Sequence, residues 1–466
     1  MRRNLTFVCG LLLLLTVTSS ILFLYSNDQV IYTVKSEINH NGILVNLSDK
    51  KMNTSEPNVD LTITMSNSVK CPGLNVTVHL ESVDHWQSLN RDKHAFVFSA
   101  YLVYEIKKIV IIGMKIRYSS LHFCQLWYKN AKNQPTLSEE ILAKLTLLPE
   151  GHGQPYSAVL FECSLDSSLK SLPSYVSLVT NNCTTPSNLL LIHHVSKPEV
   201  VMQNFTVCLP PLHDYSSVYE LVEWIELNKI LGAEKFIVYN YSSNVNVQHV
   251  LDFYSKKGIT TIIQWQLPKE RESNSVESKP VGVHYFGQVA ALNDCLFRNK
   301  YNSEFIVNLD LDEFIIPHAE NVTSWIEILE TLKHDAPSYI FRNTFFKKEW
   351  DNAEIEIPNK TLADKYHLVT LQKVQHEKKI YTTGQRSKYL VRTSQVSRIM
   401  IHTASGVYNM PVPTDVALLH HYRDWGSKND PAHVKVLDKT VPLKFGNELI
   451  ENVRKVWSEL NETIGK

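Results

Sequence analysis

Neither sign of charge is in excess in this 466-residue chain, where 47 lysines and arginines meet 47 aspartates and glutamates. A nucleic-acid binder captures phosphate with a basic surplus, and no global surplus exists here. There is no Cys-x-x-Cys pair, which disfavours zinc or thioredoxin-like redox chemistry. The phosphate-loop signature and the Gly-x-Gly-x-x-Gly fingerprint are both missing, so an ATPase or a Rossmann dehydrogenase is disfavoured. There are no internal repeats, and beyond residue 25 no apolar run is long enough to span a bilayer.

The N-terminus does carry such a run. Arg2 and Arg3 precede 21 uncharged residues, 5–25, and Asp28 is the next charge. At about 1.5 Å per residue a helix of that length covers roughly 31 Å, the thickness of a hydrocarbon core. The small residues 16–20 would suit a cleaved signal peptide, but Ile21-Leu22-Phe23-Leu24 extends the run past the usual signal core. The expectation is an uncleaved type II anchor with a cytoplasmic tail at 1–4 and everything after residue 25 across the membrane. Two features agree with a luminal body. Sequons begin at Asn46, Asn53, Asn75, Asn182, Asn204, Asn240, Asn321, Asn359 and Asn461. Outside the anchor the cysteines number six, Cys71, Cys124, Cys163, Cys183, Cys208 and Cys295, enough for three disulfides whose pairing sequence alone leaves open.

Residues 26–70 are polar and poor in aromatics, the composition of a flexible stem. Residues 71–200 change to short β-branched and aromatic runs such as Val76-Thr77-Val78-His79-Leu80, separated by turn-rich stretches, and predict a β-rich, sandwich-like accessory domain. From residue 201 to about 440 helical periodicity alternates with buried strands, which predicts an α/β domain with a mainly parallel central sheet. Residues 441–466 complete the chain as a helical tail.

Within the α/β segment, Phe305-Ile306-Val307 runs into Asp310-Leu311-Asp312-Glu313-Phe314. Residues i and i+2 of an extended segment point the same way, so Asp310 and Asp312 could aim two carboxylates at one spot. Oxygen ligands of that kind suit a hard divalent cation, and a cation there could grip a diphosphate. The competing reading is a polar turn that ends a buried strand. In such sheets ligands bind beyond the carboxyl ends of the strands, where both Asn240 and Asp310 fall.

A series of spaced motifs accompanies this pair: Val207-Cys208-Leu209-Pro210-Pro211-Leu212, Glu226-Leu227-Asn228, Val238-Tyr239-Asn240, Asn293-Asp294-Cys295-Leu296-Phe297-Arg298, Lys388-Tyr389-Leu390-Val391-Arg392 and His420-His421-Tyr422-Arg423. In that order the chain resembles glycosyltransferase family 92, a family of type II Golgi galactosyltransferases with a GT-A fold. The resemblance implies a GT-A-type catalytic domain and a metal-dependent, inverting transfer of galactose from UDP-galactose to a hydroxyl of a glycan on a glycoprotein or glycolipid. It also implies a Golgi membrane location with the catalytic domain in the lumen.

In that setting Asp310 and Asp312 would hold Mn2+ or another divalent cation, with Glu313 orienting the loop. The resemblance points to His402 as a third ligand, with His420 or His421 as alternatives. Asn240, Asp294, Arg298, Lys388 and Arg423 are candidates for the donor-nucleotide side. Against this, Asp294 and Arg298 have the spacing of an ordinary i,i+4 helix pair, a glycan on Asn240 would rule out a donor role, and Lys388 and Arg423 compete with plain surface cations. Inversion requires a general base, for which Glu349 and Asp351 flanking Trp350 are candidates, the alternative being simple loop charges. Rival functions are an inactive sugar-binding membrane protein of the same fold, a transferase using a different UDP-sugar, and a nucleotide-sugar hydrolase.

Overall fold

The computed structural model describes residues 22–26, 29–33, 71, 84–89, 94–116, 121–130, 135–166, 171–271, 278–424 and 431–464. The chain divides into two units, Met1–Met65 and Ser66–Lys466. In the first, Leu22–Ser26 and Gln29–Thr33 pair as an antiparallel hairpin. Residues 5–21 of the expected anchor lie outside the described residues, and residues 22–25 are strand where a helix was expected. Among the described residues no helix is long and apolar enough to cross a membrane.

The second unit opens with an eight-stranded sheet in the order Leu190–Val195, Tyr175–Val179, Phe123–Lys129, Pro135–Leu147, Tyr156–Ser164, Lys108–Ile116, Ala95–Val103 and Gln87–Ser88. Leu190–Val195 also pairs in parallel with Ala95–Val103, so the sheet closes on itself where two separate sheets were expected. Closure follows from the 13-residue strand Pro135–Leu147. Its first half pairs with Phe123–Lys129 and its second half with Tyr156–Ser164, which carries it around a corner. Disulfides Cys71–Cys183 and Cys124–Cys163 staple this module.

All nine residues of Ala95–Val103 are buried, which hides the two-residue alternation that would mark a half-exposed strand. Val97, Ala100 and Leu102 fill the module's own core. Phe96, Phe98 and Tyr101 instead join a cluster with Ile237, Trp265, Leu296 and Phe297 of the α/β segment. The two segments therefore share a core within one compact unit.

The α/β segment carries a seven-stranded sheet ordered Thr260–Gln264, Lys235–Asn240, Gln203–Leu212, Ser303–Asn308, Lys388–Arg392, Ser338–Phe341 and Asn409–Pro411. The first four strands are parallel, and Lys388–Arg392 runs antiparallel to both of its neighbours. Helices Val218–Ile230, Val245–Lys256 and Gln288–Arg298 make the crossovers. Gly258, at φ +74°, ends the second of these helices in a left-handed turn that only glycine adopts cheaply. The third disulfide, Cys208–Cys295, ties the central strand Gln203–Leu212 to the third helix.

A second sheet orders Glu313–Pro317, Ala417–Tyr422, Asn343–Phe346, Gln375–Glu377 and Lys435–Leu437. The C-terminal helix Thr440–Ile464 is part of the core, since Phe445, Leu449, Ile450 and Val453 cluster with Leu221, Val222 and Ile225 of the first crossover helix.

Candidate active site

Parallel strands Gln203–Leu212 and Ser303–Asn308 end at the same edge of the large sheet, and a cleft of about 780 Å³ opens there. The chain leaves the second strand through Leu309, makes a tight turn at Asp310-Leu311-Asp312, and enters Glu313–Pro317 of the smaller sheet. The turn closes with the Glu313 N–H donating to the Asp310 carbonyl at 3.1 Å. In return the Glu313 carboxylate accepts the Asp310 N–H at 3.0 Å, which is the loop-orienting part expected of it.

Two cationic or polar partners lock the pair of aspartates. Lys388 Nζ lies 2.9 Å from Asp310 Oδ2 and 3.1 Å from Glu313 Oε2. His421 Nε2 lies 3.2 Å from Asp312 Oδ2, and its Nδ1 faces Asn343 Oδ1 at 3.1 Å. The Tyr422 N–H donates to the Asp312 carbonyl at 2.7 Å, clamping the turn to strand Ala417–Tyr422.

Burial and charge set the protonation of these groups. Burial pushes the Glu313 carboxyl up to about 7, against the pull of Lys388. Burial also works to raise the Asp312 carboxyl, yet its hydrogen bond and charge interaction with His421 hold it below the usual value. The Lys388 ammonium is opposed by burial but sits above its ordinary value because Asp310 and Glu313 surround it. His402 is lowered to about 4 by burial and by Lys388, so it is a neutral imidazole at physiological pH. Its Nδ1 meets the Ser387 carbonyl at 3.1 Å. A carbonyl can only accept, so Nδ1 carries the proton and Nε2 keeps its lone pair.

This donor chemistry fits a divalent cation. Asp310 and Asp312 keep 39% and 35% of their side-chain surface exposed. Lys388 meets Asp310 at Oδ2, and His421 meets Asp312 at Oδ2. Asp310, Asp312 and His402 all line the cleft, and His421, one of the two alternatives for the third ligand, lines it too. His420 does not, because successive strand residues face opposite ways and it points to the other side of the smaller sheet.

The remaining expected site residues divide sharply. Arg423 lines the cleft, and its charge acts on Asp312. Lys388 is fully buried beneath the turn, so it neutralises Asp310 and Glu313 and is not placed as a phosphate ligand. Asp294 and Arg298 are not in the cleft at all. Asp294 is completely buried against the β module, accepting from Ser99 and Tyr101 on that side, from Tyr239, and from Arg298. Arg298 also reaches Asp84 at 2.8 Å, making it part of an intersegment ion-pair network. Asn240, 7% exposed, ends its strand outside the cleft lining with a buried, unpaired Oδ1. Glu349 and Asp351 do not line the cleft, and Trp350 between them is 1% exposed, with Lys347 and Lys435 over its ring. It therefore offers no face to a sugar.

Several cleft residues carry no local signal in the sequence. Glu220, early in helix Val218–Ile230, faces Lys348 at 3.3 Å. Arg386 lines the cleft beside the rings of Phe345 and Tyr381. His213 stacks on Phe286, whose neighbour Tyr285 is 62% exposed; both residues of the Tyr285-Phe286 pair have positive φ. The β module also reaches the site. Glu150 accepts the Ile401 N–H at 2.6 Å, and His152 packs on His284 with ring centroids 3.9 Å apart. Only tertiary folding reveals these partners; Glu220 and Lys348, His152 and His284, and Glu150 and Ile401 each meet across more than a hundred positions.

Known proteins of similar sequence and structure include several sugar transferases. The Caenorhabditis elegans β-1,4-galactosyltransferase galt-1 is 25% identical over 366 residues, covering 74% of this chain and 77% of that protein. The Arabidopsis thaliana galactan β-1,4-galactosyltransferase GALS1 is 23% identical over 198 residues, covering 39% of this chain and 38% of its own length. Among solved structures, Staphylococcus aureus TarS with UDP-GlcNAc matches 48% of this chain and 60% of that one at 12% identity and a TM-score of 0.27. The family model described as Glycosyltransferase family 92 matches residues 203–466. Since that match takes in more than half of the chain, including the whole cleft-bearing segment, the protein belongs to glycosyltransferase family 92.

Proposed function

We propose that this glycosyltransferase moves galactose from UDP-galactose to a hydroxyl of a glycan acceptor, with inversion at the sugar carbon and with Mn2+ held by Asp310, Asp312 and His402. The observation that carries the reading is the Asp310–Asp312 turn, which sets two half-exposed carboxylates in a cleft and braces each from below, by Lys388 and by His421. The β-1,4-galactosyltransferase name of the worm relative supports galactose as the sugar. A divalent ion bound there supplies charge neutralisation for a departing diphosphate.

The chain's own groups do the rest. Arg423 adds positive charge on the cleft wall beside Asp312. Tyr285 offers an exposed ring on which a uracil base can stack. Among the described cleft residues, Glu220 is the carboxylate outside the Asp310–Glu313 turn. In this reading it replaces Glu349 and Asp351 as the base that accepts the proton of the attacking sugar hydroxyl. The apolar N-terminal run and the three disulfides support a Golgi membrane enzyme with a luminal catalytic body, because disulfides persist in oxidising compartments.

The test uses the purified full chain with UDP-galactose, Mn2+ and an array of glycans. Transfer that disappears in Asp310→Asn and Asp312→Asn proteins of unchanged yield supports the proposal. Full activity in excess chelator would reject the metal's part in it. Release of free galactose without any acceptor would favour a hydrolase, and no turnover of any nucleotide sugar would favour the inactive binder.

A further inference from the structure

On the face of the smaller sheet turned away from the cleft, three side chains from distant segments converge. His318 follows strand Glu313–Pro317, His420 lies within Ala417–Tyr422, and Asp438 stands just ahead of the C-terminal helix. His318 Nε2 and His420 Nε2 are 2.8 Å apart, and Asp438 Oδ2 is 3.5 Å from the first and 3.4 Å from the second. The side chains of His420 and Asp438 are 1% and 7% exposed, and that of His318 is 20% exposed.

Its hydrogen bonding does not balance. The other carboxylate oxygen of Asp438 accepts the Thr440 N–H at 2.8 Å, which aims Oδ2 at the two imidazoles. Yet Oδ2 is a buried oxygen without a hydrogen-bond partner. A 2.8 Å contact between two ring nitrogens uses one proton, with one imidazole donating and the other accepting. That leaves neither Nε2 to satisfy the carboxylate, and native proteins rarely leave such an oxygen orphaned.

A cation would take all three lone pairs at once. Tetrahedral zinc binds histidine nitrogen and carboxylate oxygen at about 2.0–2.2 Å, which sets neighbouring ligand atoms about 3.3 Å apart. Two of the three separations here are close to that, and the third needs an opening of about half an ångström to reach it. Two imidazoles with one carboxylate favour zinc over magnesium or calcium.

We propose that His318, His420 and Asp438 form a zinc site separate from the Asp310–Asp312 turn. It ties together two strands of the smaller sheet and the start of the C-terminal helix. It also bears on the cleft. His420 and His421 are successive residues on one strand, so fixing His420 on one face fixes His421, the partner of Asp312, on the other. The zinc ligands are therefore positioning residues and touch no substrate.

The experiment is zinc analysis of the purified full chain by mass spectrometry, with a thermal melt of chelator-treated protein titrated with Zn2+ alone. The expected result is about one zinc per chain in the wild type and in Asp310→Asn and Asp312→Asn proteins, with a melting temperature that rises as zinc is returned. His318→Ala and Asp438→Ala proteins should hold less than about a tenth of that and show no zinc-dependent rise. Zinc lost from the Asp310 and Asp312 variants but kept by the His318 and Asp438 variants would overturn the proposal, because the ion would then belong to the catalytic turn. Should the histidine and Asp438 variants fail to fold, the wild type decides. A chelator-treated chain that takes up no zinc and melts unchanged in its presence refutes the site.

Discussion

Glu313 holds the backbone N–H of Asp310 on its carboxylate at 3.0 Å, and Lys388 Nζ sits 2.9 Å from Asp310 Oδ2 and 3.1 Å from Glu313 Oε2. The conformation of the Asp310–Asp312 turn therefore depends on a buried carboxylate that itself lies under the turn. In Glu313→Gln an amide oxygen can still accept the Asp310 N–H, but the charge shared with Lys388 is gone and the lysine bears on Asp310 alone. Transfer should fall about 10–100-fold, with a higher Mn2+ concentration needed for half-maximal rate. Rate measured against Mn2+ concentration checks this, and an unchanged manganese dependence would refute it.

Lys388 is a stability residue in this arrangement. Removing one partner of a buried ion pair leaves the other charge uncompensated, which typically costs about 3–5 kcal/mol. Lys388→Met strands the buried Glu313 carboxylate and takes the brace from the half-exposed Asp310, so denaturant unfolding should show a loss of that order. Adding Glu313→Leu to it should recover part of the loss, since the stranded acid is then gone. A phosphate-binding surface lysine would instead shift stability by no more than about 0.5 kcal/mol.

The fate of Lys388 shows what the sequence could and could not disclose. Asp310 and Asp312 were legible because strand periodicity and the end of an apolar run are local properties. The strand-helix alternation from residue 201 was legible for the same reason. Lys388 begins its own strand, and nothing near it in sequence tells that the Asp310 turn will cover it completely. Asp294 and Arg298 were donor-side candidates with an ordinary i,i+4 pair as the alternative; that pair forms, and the further groups that claim them, Asp84, Ser99 and Tyr101, lie some two hundred residues earlier. The smaller sheet was invisible because its strands are three to six residues long and pair with partners from remote segments. Such short runs have too few periods to register against turn and loop chemistry.

The network between the β module and the α/β segment predicts a pH response. Burial pushes the Asp84 carboxyl up, but the His193 hydrogen bond and charge, with Arg298 alongside, hold it below its ordinary value of 3.8. A carboxylate with a lowered folded pKa stabilises the fold fully above its unfolded value and loses that contribution as pH falls through the folded one. The loss belongs below pH 3.8. Asp84→Asn should therefore lower the melting temperature at pH 6 and flatten the acid decline below pH 3.8. A variant whose acid limb stays parallel to that of the wild type would show that Asp84 does not contribute to it.

The β module does more than space the catalytic segment from its N-terminus. Glu150 Oε2 accepts the N–H of Ile401 at 2.6 Å, one residue before His402. Since His402 is also held through Nδ1 by the Ser387 carbonyl, the placement of its Nε2 depends on two backbone anchors, one of which belongs to the module. Glu150→Ala leaves the Ile401 N–H without its acceptor, a loss worth about 1–3 kcal/mol where the group is buried. The loop bearing His402 would then relax, and a displaced ligand should raise the Mn2+ concentration for half-maximal transfer by about tenfold. Glu150→Gln keeps an acceptor oxygen at the same position and should restore most of that dependence. If Glu150→Ala lowers stability but leaves the manganese dependence unchanged, the link is structural only. Rescue by glutamine of both the rate and the manganese dependence would instead show the module setting the geometry of His402.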